Sequence, residues 1–107
     1  MALFELRTYT LYSGKLGEAS QHYLELGWSA LQKGGFDAKL VGYFTSDVGD
    51  LNQLVHLWKF DDDADRRNHW AALGADEGFR AFLVHLRPLI QKQQNKLLLE
   101  AHWGPHP

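Results

Sequence analysis

At 107 residues, the chain can bury one hydrophobic core but not two, and its 45% hydrophobic and 22% charged residues are those of an ordinary globular protein, not a disordered one. A formal net charge of −2 with no block of lysine or arginine predicts neither a nucleic-acid nor a membrane partner. The lack of cysteine excludes disulfides, thiolate nucleophiles and thiolate-held metals, and fits a reducing compartment. No apolar run approaches a membrane span, and a charged strand pattern starting at Phe4 leaves no room for a leader, so the expected location is cytoplasmic.

Residues 3–12 are rich in aromatic, aliphatic and threonine side chains and free of Gly and Pro until Ser13-Gly14, which predicts a first strand. From Lys15 to Lys33, Leu16, Ala19, Tyr23, Leu26 and Ala30 recur at three- and four-residue steps, a helix with Gly34-Gly35 as its left-handed stop. Strands are expected from Ala38 to Asp47 and from Asn52 to Phe60, with Val48-Gly49-Asp50-Leu51 short enough to make them a hairpin. Asp61-Asp62-Asp63 offers caps for a helix from about Ala64 to Leu73, interrupted by Gly74. A second helical segment begins near Asp76, with Phe79, Phe82, Leu83, Leu86 and Ile90 on one face and a kink expected at Pro88. A last strand is placed around Asn95 to Ala101, followed by an irregular tail over residues 102–107.

The order β, α, β, β, α, β in a single domain over residues 1–107 is that of an α+β, ferredoxin-like fold with one antiparallel sheet. Helices cover only one face of such a sheet, yet the strands carry apolar residues on both: Leu3 and Tyr9 against Phe4 and Leu6, Val41 and Tyr43 against Leu40 and Phe44, Leu54 and Trp58 against Val55 and Leu57. A second copy of the chain is the natural cover, which predicts a two-fold homodimer, a dimeric α+β barrel.

Three stretches resemble the NIPSNAP family: Phe4-Glu5-Leu6-Arg7-Thr8-Tyr9, Leu40-Val41-Gly42-Tyr43-Phe44-Thr45, and most specifically Gly49-Asp50-Leu51-Asn52-Gln53-Leu54-Val55-His56-Leu57-Trp58. Asp65-Arg66-Arg67 and Arg87-Pro88-Leu89 extend the resemblance over nearly the whole chain to Ala101. It implies membership of the dimeric α+β barrel superfamily, whose members include cofactor-independent monooxygenases, haem-degrading enzymes and isomerases. These share a fold and differ in mechanism, so the resemblance implies architecture and leaves the activity open.

Alternation puts Glu5, Arg7 and Tyr9 on one face of the first strand and Asn52, Leu54, His56 and Trp58 on one face of the third. If the register brings those faces together, two accounts fit. In one, His56 handles a proton while Arg7 and Tyr9 bind an oxyanion; in the other, Glu5, Arg7 and His56 are a buried structural network. The resemblance to the superfamily's monooxygenases, which place a tryptophan late in the third strand and a histidine in the next helix, adds Trp58 as a stacking residue and His69 as a second catalytic candidate. The plainer alternative is Trp58 as core and His69 as a solvated helix residue.

Arg66 reads as a solvated residue, whereas the family match suggests an inward contact for Arg67. Tyr23, Trp28, Tyr43, Trp58 and Trp70 could wall a pocket between sheet and helices. The candidate set is therefore His56 and His69 for catalysis, with Trp58, Arg7, Tyr9, Tyr43, Asn52 and Arg67 for substrate. The six histidines show no ligand spacing, and no phosphate loop, nucleophile elbow or zincin run occurs, so no cofactor or metal is expected. Two functions follow: binding of a small planar molecule, with cofactor-independent oxygenase or isomerase chemistry, or a non-catalytic dimeric interaction module.

Overall fold

A computed structural model describes residues 1–107. Strand β1 (Leu3–Leu11) is the hub of a four-stranded antiparallel sheet of order β2-β3-β1-β4, with β2 at Leu40–Thr45, β3 at Gln53–Phe60 and β4 at Ile90–Leu99. This order, with the first and third strands central, is the ferredoxin-like arrangement predicted from the element sequence. Helices α1 (Leu16–His22) and α2 (Trp28–Lys33) are joined by a π-helical turn, Tyr23–Gly27; α3 (Asp63–Ala75) and α4 (Glu77–Leu86) follow β3.

Local chemistry accounts for the helix boundaries. Asp62 accepts a hydrogen bond from the Asp65 backbone N–H at 2.8 Å and Asp76 accepts from that of Phe79 at 2.9 Å, so each aspartate caps its helix. Gly35 adopts φ 72°, the left-handed stop expected after α2. In the π turn, Gly27 is buried so close to Phe82 that a Cβ there would lie 2.8 Å from that ring. The glycine lets the first helical rod press onto α4.

Several features differ from expectation: α3 runs through Gly74 to Ala75 instead of breaking there, and β2 starts at Leu40 after a 3₁₀ turn over Phe36–Lys39. The predicted first helix is one rod interrupted by the π turn, which the three- and four-residue apolar spacing does not register. Strand β4 begins at Ile90, five residues before Asn95, because α4 ends at Leu86 and a 3₁₀ turn (Arg87–Leu89) containing Pro88 redirects the chain instead of kinking the helix. A register shift between Leu40 and Gly42 puts Leu40 opposite Trp58, so Leu40 and Tyr43 both pack with the helix-side core, contrary to the simple alternation.

The helix-covered core is in two parts. Leu11, Ala19, Phe82, Leu86 and Leu89 form one buried cluster; Leu31, Trp58, Phe60 and Leu73 form the other, and the half-buried Phe79 touches both. On the opposite face, Phe4 is partly covered by the chain's own C-terminal tail. His106 lies edge-on to its ring, and the Lys59 ammonium, 5.7 Å from that ring, donates to the Pro107 carbonyl at 3.2 Å. The tail lacks helix and strand, as expected, but it has a definite place. No helix is long and apolar enough to cross a membrane.

Candidate functional site

The β1–β3 register decides which side chains meet. Glu5 lies opposite Trp58, Arg7 opposite His56 and Tyr9 opposite Leu54, so the predicted common face exists. Glu5 is wholly buried. Its Oε1 accepts from Arg66 Nη1 at 3.1 Å and Trp70 Nε1 at 2.9 Å, and its Oε2 lies 3.4 Å from Arg7 Nη1. The Arg7 guanidinium stacks over Trp70 with 4.0 Å to the ring centroid.

His56 is 2% exposed. One face of its ring stacks on Tyr43 with centroids 4.8 Å apart, and Tyr9 meets it edge-on at 4.9 Å. The Trp58 indole N–H donates to His56 Nδ1 at 2.6 Å, and burial, then the Arg7 charge, pushes the imidazole pKa down to about 3. A neutral ring that accepts at Nδ1 carries its proton at Nε2. That Nε2 is buried and has no partner, and neither has the buried Arg7 Nε.

Both residues line a cavity of about 230 Å³ that occupies the gap between the two core clusters. Its walls are Tyr9, Tyr23, Tyr43, Trp58, Trp70 and Phe79, with Leu73 and Leu83 toward the helices and Arg87 and Gln93 also contributing. Burial raises the pKa of all three tyrosines, so their phenols stay protonated near neutral pH. The cavity therefore presents aromatic faces and hydrogen-bond donors, while Glu5 beneath it accepts at Oε1 from Arg66 and Trp70 and keeps Oε2 3.4 Å from Arg7 Nη1, without a hydrogen bond.

Four sequence candidates fall elsewhere. His69 is buried, but behind Trp58 at 4.9 Å between ring centroids and among Phe36 and Phe60, and it does not line the cavity. Burial, partly offset by Asp65, lowers its pKa to about 4. Asn52 sits ahead of β3 with φ 58°, where its backbone carbonyl accepts from Leu11 N and its side chain braces Gly14; it shapes a turn and is away from the cavity. Arg67 points outward, 73% exposed, and pairs with Asp63 at 2.6 Å. Arg66, read as solvated, is the inward one. Trp28 belongs to a separate apolar groove with Leu24 and Leu54.

Sequence reading missed Arg66, Phe79, Leu83, Arg87 and Gln93. For Arg66 a signal existed, since neighbouring helix positions point about 100° apart and only one of the arginine pair can face the sheet. No three of the His, Asp and Glu side chains converge as a group able to hold a metal.

The sheet order, the helix-covered face and the cavity between sheet and helices define an α+β protein of ferredoxin-like fold. The NIPSNAP family's sequence model matches residues 4–105, and the chain belongs to the NIPSNAP family. It is 29% identical over 103 residues to zebrafish NipSnap homolog 1, covering 96% of this chain and 36% of the relative. Human NipSnap homolog 3A is 29% identical over 102 residues, with 94% and 40% covered. The chain thus spans well under half the length of these relatives.

Among solved structures, a NIPSNAP family protein from Agrobacterium tumefaciens superposes with a TM-score of 0.89 at 30% identity, covering 98% of both chains. A putative antibiotic biosynthesis monooxygenase from Caulobacter crescentus shares the fold at TM-score 0.66 and 14% identity, with 94% and 91% covered. At that identity the likeness speaks of architecture alone.

Proposed function

We propose that the protein binds a small planar molecule of one or two rings that carries an oxygen acceptor, in the cavity between the sheet and the helices. The observation that carries this reading is the pair of buried N–H groups, His56 Nε2 and Arg7 Nε, left without partners in an aromatic-walled cavity. Buried donors without partners each cost about 1–3 kcal/mol, so an oxygen atom placed there recovers an interaction that the empty protein forgoes. The size fits. A cavity of about 230 Å³ exceeds the roughly 150 Å³ that takes benzene and falls short of the roughly 300–1,000 Å³ of drug-sized pockets.

The arrangement favours stabilising negative charge on a ligand oxygen over abstracting a proton, since His56 already holds its proton at Nε2 and Glu5 is engaged. It suits an isomerase reaction in which solvent water, since the site offers no free base, takes a proton from one carbon and returns one at another, the oxygen carrying the charge in between. It equally suits a cofactor-independent oxygenation with dioxygen as oxidant, in which a CH₂ group beside the ring becomes C=O and the second oxygen atom leaves as water. In either reaction the substrate supplies the electrons, and Arg7 and His56 hold the anion.

A homodimer completes the proposal. Leu6, Val55 and Leu57 on the open sheet face stay partly accessible and Phe44 is 57% exposed, an apolar surface that a second copy would cover with a standard interface of roughly 1,600 Å².

The ligand reading is tested by titrating one- and two-ring phenols and aryl ketones, 1-naphthol and 2-hydroxyacetophenone first, while following tryptophan fluorescence, since Trp58 and Trp70 both wall the cavity. Saturable quenching is expected, with affinity falling about tenfold in His56→Phe as the Nε2–H donor is lost. Folded protein that binds no compound of such a panel would overturn the reading in favour of the non-catalytic interaction module.

A further inference from the structure

We propose that the ligand is an aryl acid, with its ring in the inner cavity and its carboxylate outside, on a shelf formed by Arg87 and Arg80. The inference rests on the cavity being the ligand site and adds the chemical class of what occupies it. A second, open cavity of about 590 Å³ adjoins the first, and the two share Gly74, Leu83 and Arg87 as lining. These three residues stand at the boundary of both, the place where a passage between them would open.

The charges at that passage are unlike those elsewhere in the chain. Of the five arginines, Arg7 and Arg66 are paired with Glu5, and Arg66 and Arg67 with Asp63. Arg80 and Arg87 have no carboxylate within 4 Å. Both line the outer cavity, where Glu77 is the single opposing charge, and its balance is positive. Seven positions apart on helical backbone, they stand on one face about 10 Å from each other along the axis, with Leu83 between them.

Gly74 is the second, independent observation. It is the penultimate, exposed residue of α3, its φ is not positive, and a Cβ there would meet nothing within 4 Å. Neither backbone conformation nor packing asks for glycine. Its effect is on the passage, because a side chain at Gly74 would project between the two cavities. A flat ring can then pass Gly74 and Leu83, while the planar fork of Arg87 at the threshold suits a carboxylate better than a neutral group.

The test is a matched pair of probes, 4-hydroxyphenylpropionate and 4-propylphenol, which share ring and reach and differ in the carboxylate. Titrated calorimetrically on the full chain, the acid is expected to bind about tenfold tighter, with an advantage that shrinks as salt is raised. Arg87→Gln should abolish that advantage and Arg80→Gln reduce it, with binding of the neutral phenol unchanged in Arg80→Gln; Arg87→Lys should restore part of it. Gly74→Leu should weaken both probes, while far-ultraviolet circular dichroism shows an intact fold.

Equal affinity for the two probes, or an Arg87→Gln variant that weakens both alike, would overturn the shelf and leave the inner cavity standing. Failure of both probes to bind would overturn the cavity reading and the shelf with it. An aryl phosphate of equal length binding tightly while the carboxylate does not would also overturn the acid class proposed.

Discussion

The two faces of the sheet solve opposite problems. On the helix side, charged and polar side chains are sunk into the core and only partly satisfied by one another, and the gap they leave is lined with donors. On the other side, the strands carry aliphatic and aromatic residues with little above them except the last few residues of the chain at the Phe4 end. Polarity is buried where helices cover the sheet, and apolar surface is exposed where they do not. This inversion teaches that the covered face was shaped around something other than packing density, since a solid aliphatic core would be simpler to build.

The sharpest way to break the covered face is Glu5→Leu. It leaves Arg7 beneath the cavity without its carboxylate and takes the acceptor from Trp70 Nε1 and one partner from Arg66. A loss of about 3–5 kcal/mol in urea unfolding is expected, the usual scale for breaking a buried ion pair from one side. A loss below about 1 kcal/mol would mean that the network is not holding the two strands and α3 together.

Lowering the pH probes the same face without mutation. His56 and His69 titrate near 3 and 4 when folded, against the ordinary 6.5 when unfolded. Between these values the unfolded chain binds more protons, so the stability they contribute is full above about pH 6.5 and falls as the pH drops. The slope approaches about 1.4 kcal/mol per pH unit for each histidine. Urea midpoints from pH 7 down to 4.5 should show it above the range where Asp63 and Asp65, whose pKa values are lowered by Arg67 and Lys39 respectively, begin to protonate. His69→Phe, set among Phe36, Phe60 and Trp58, should remove one of the two contributions. A flat profile would mean that both rings are solvated.

The open face is tested by Phe44→Lys. The side chain is already more than half exposed, so monomer stability should move by no more than about 0.5 kcal/mol. Sedimentation at micromolar concentration should nonetheless pass from dimer to monomer, and the response to phenols should persist. A wild-type protein that sediments as a monomer would remove the second copy from the proposal and leave the two faces functionally unconnected.

What the sequence makes legible follows the same division. Strands β1 and β3 and helix α4 stand out because an apolar face repeats along each, and the element order then fixes the sheet and its helix-covered side. That β1 and β3 are neighbours was readable from the element order, but the register that brings Glu5, Arg7 and His56 onto one face was not, because a slip of one residue would send either set to the other side. The start of β4 was not readable, because Gln91 to Lys96 lie on an exposed edge strand and are polar at every position, leaving no apolar alternation to mark a strand. Asn52 was misplaced because its side chain's direction depends on a positive φ that a strand pattern cannot express. The role of His56 depends on which of its nitrogens faces the Trp58 indole, a matter of side-chain rotation that spacing alone leaves undetermined.

The π turn at Tyr23–Gly27 has a consequence for how such chains vary. A turn of this kind spends one residue more than an α-helical turn, so the segments before and after it are out of phase by one position, about 100° around the axis. Ala19 packs into the core ahead of the turn and Leu31 behind it; on an unbroken α-helix these two would stand about 120° apart, and the extra residue brings them to within about 20°. Removing a single residue here would turn α2 away from β3 as a unit, taking Leu31 off Trp58 and Phe60. The segment is a mechanical phase adjuster: its length, more than the identity of most of its residues, keeps the two halves of the rod seated on the same sheet.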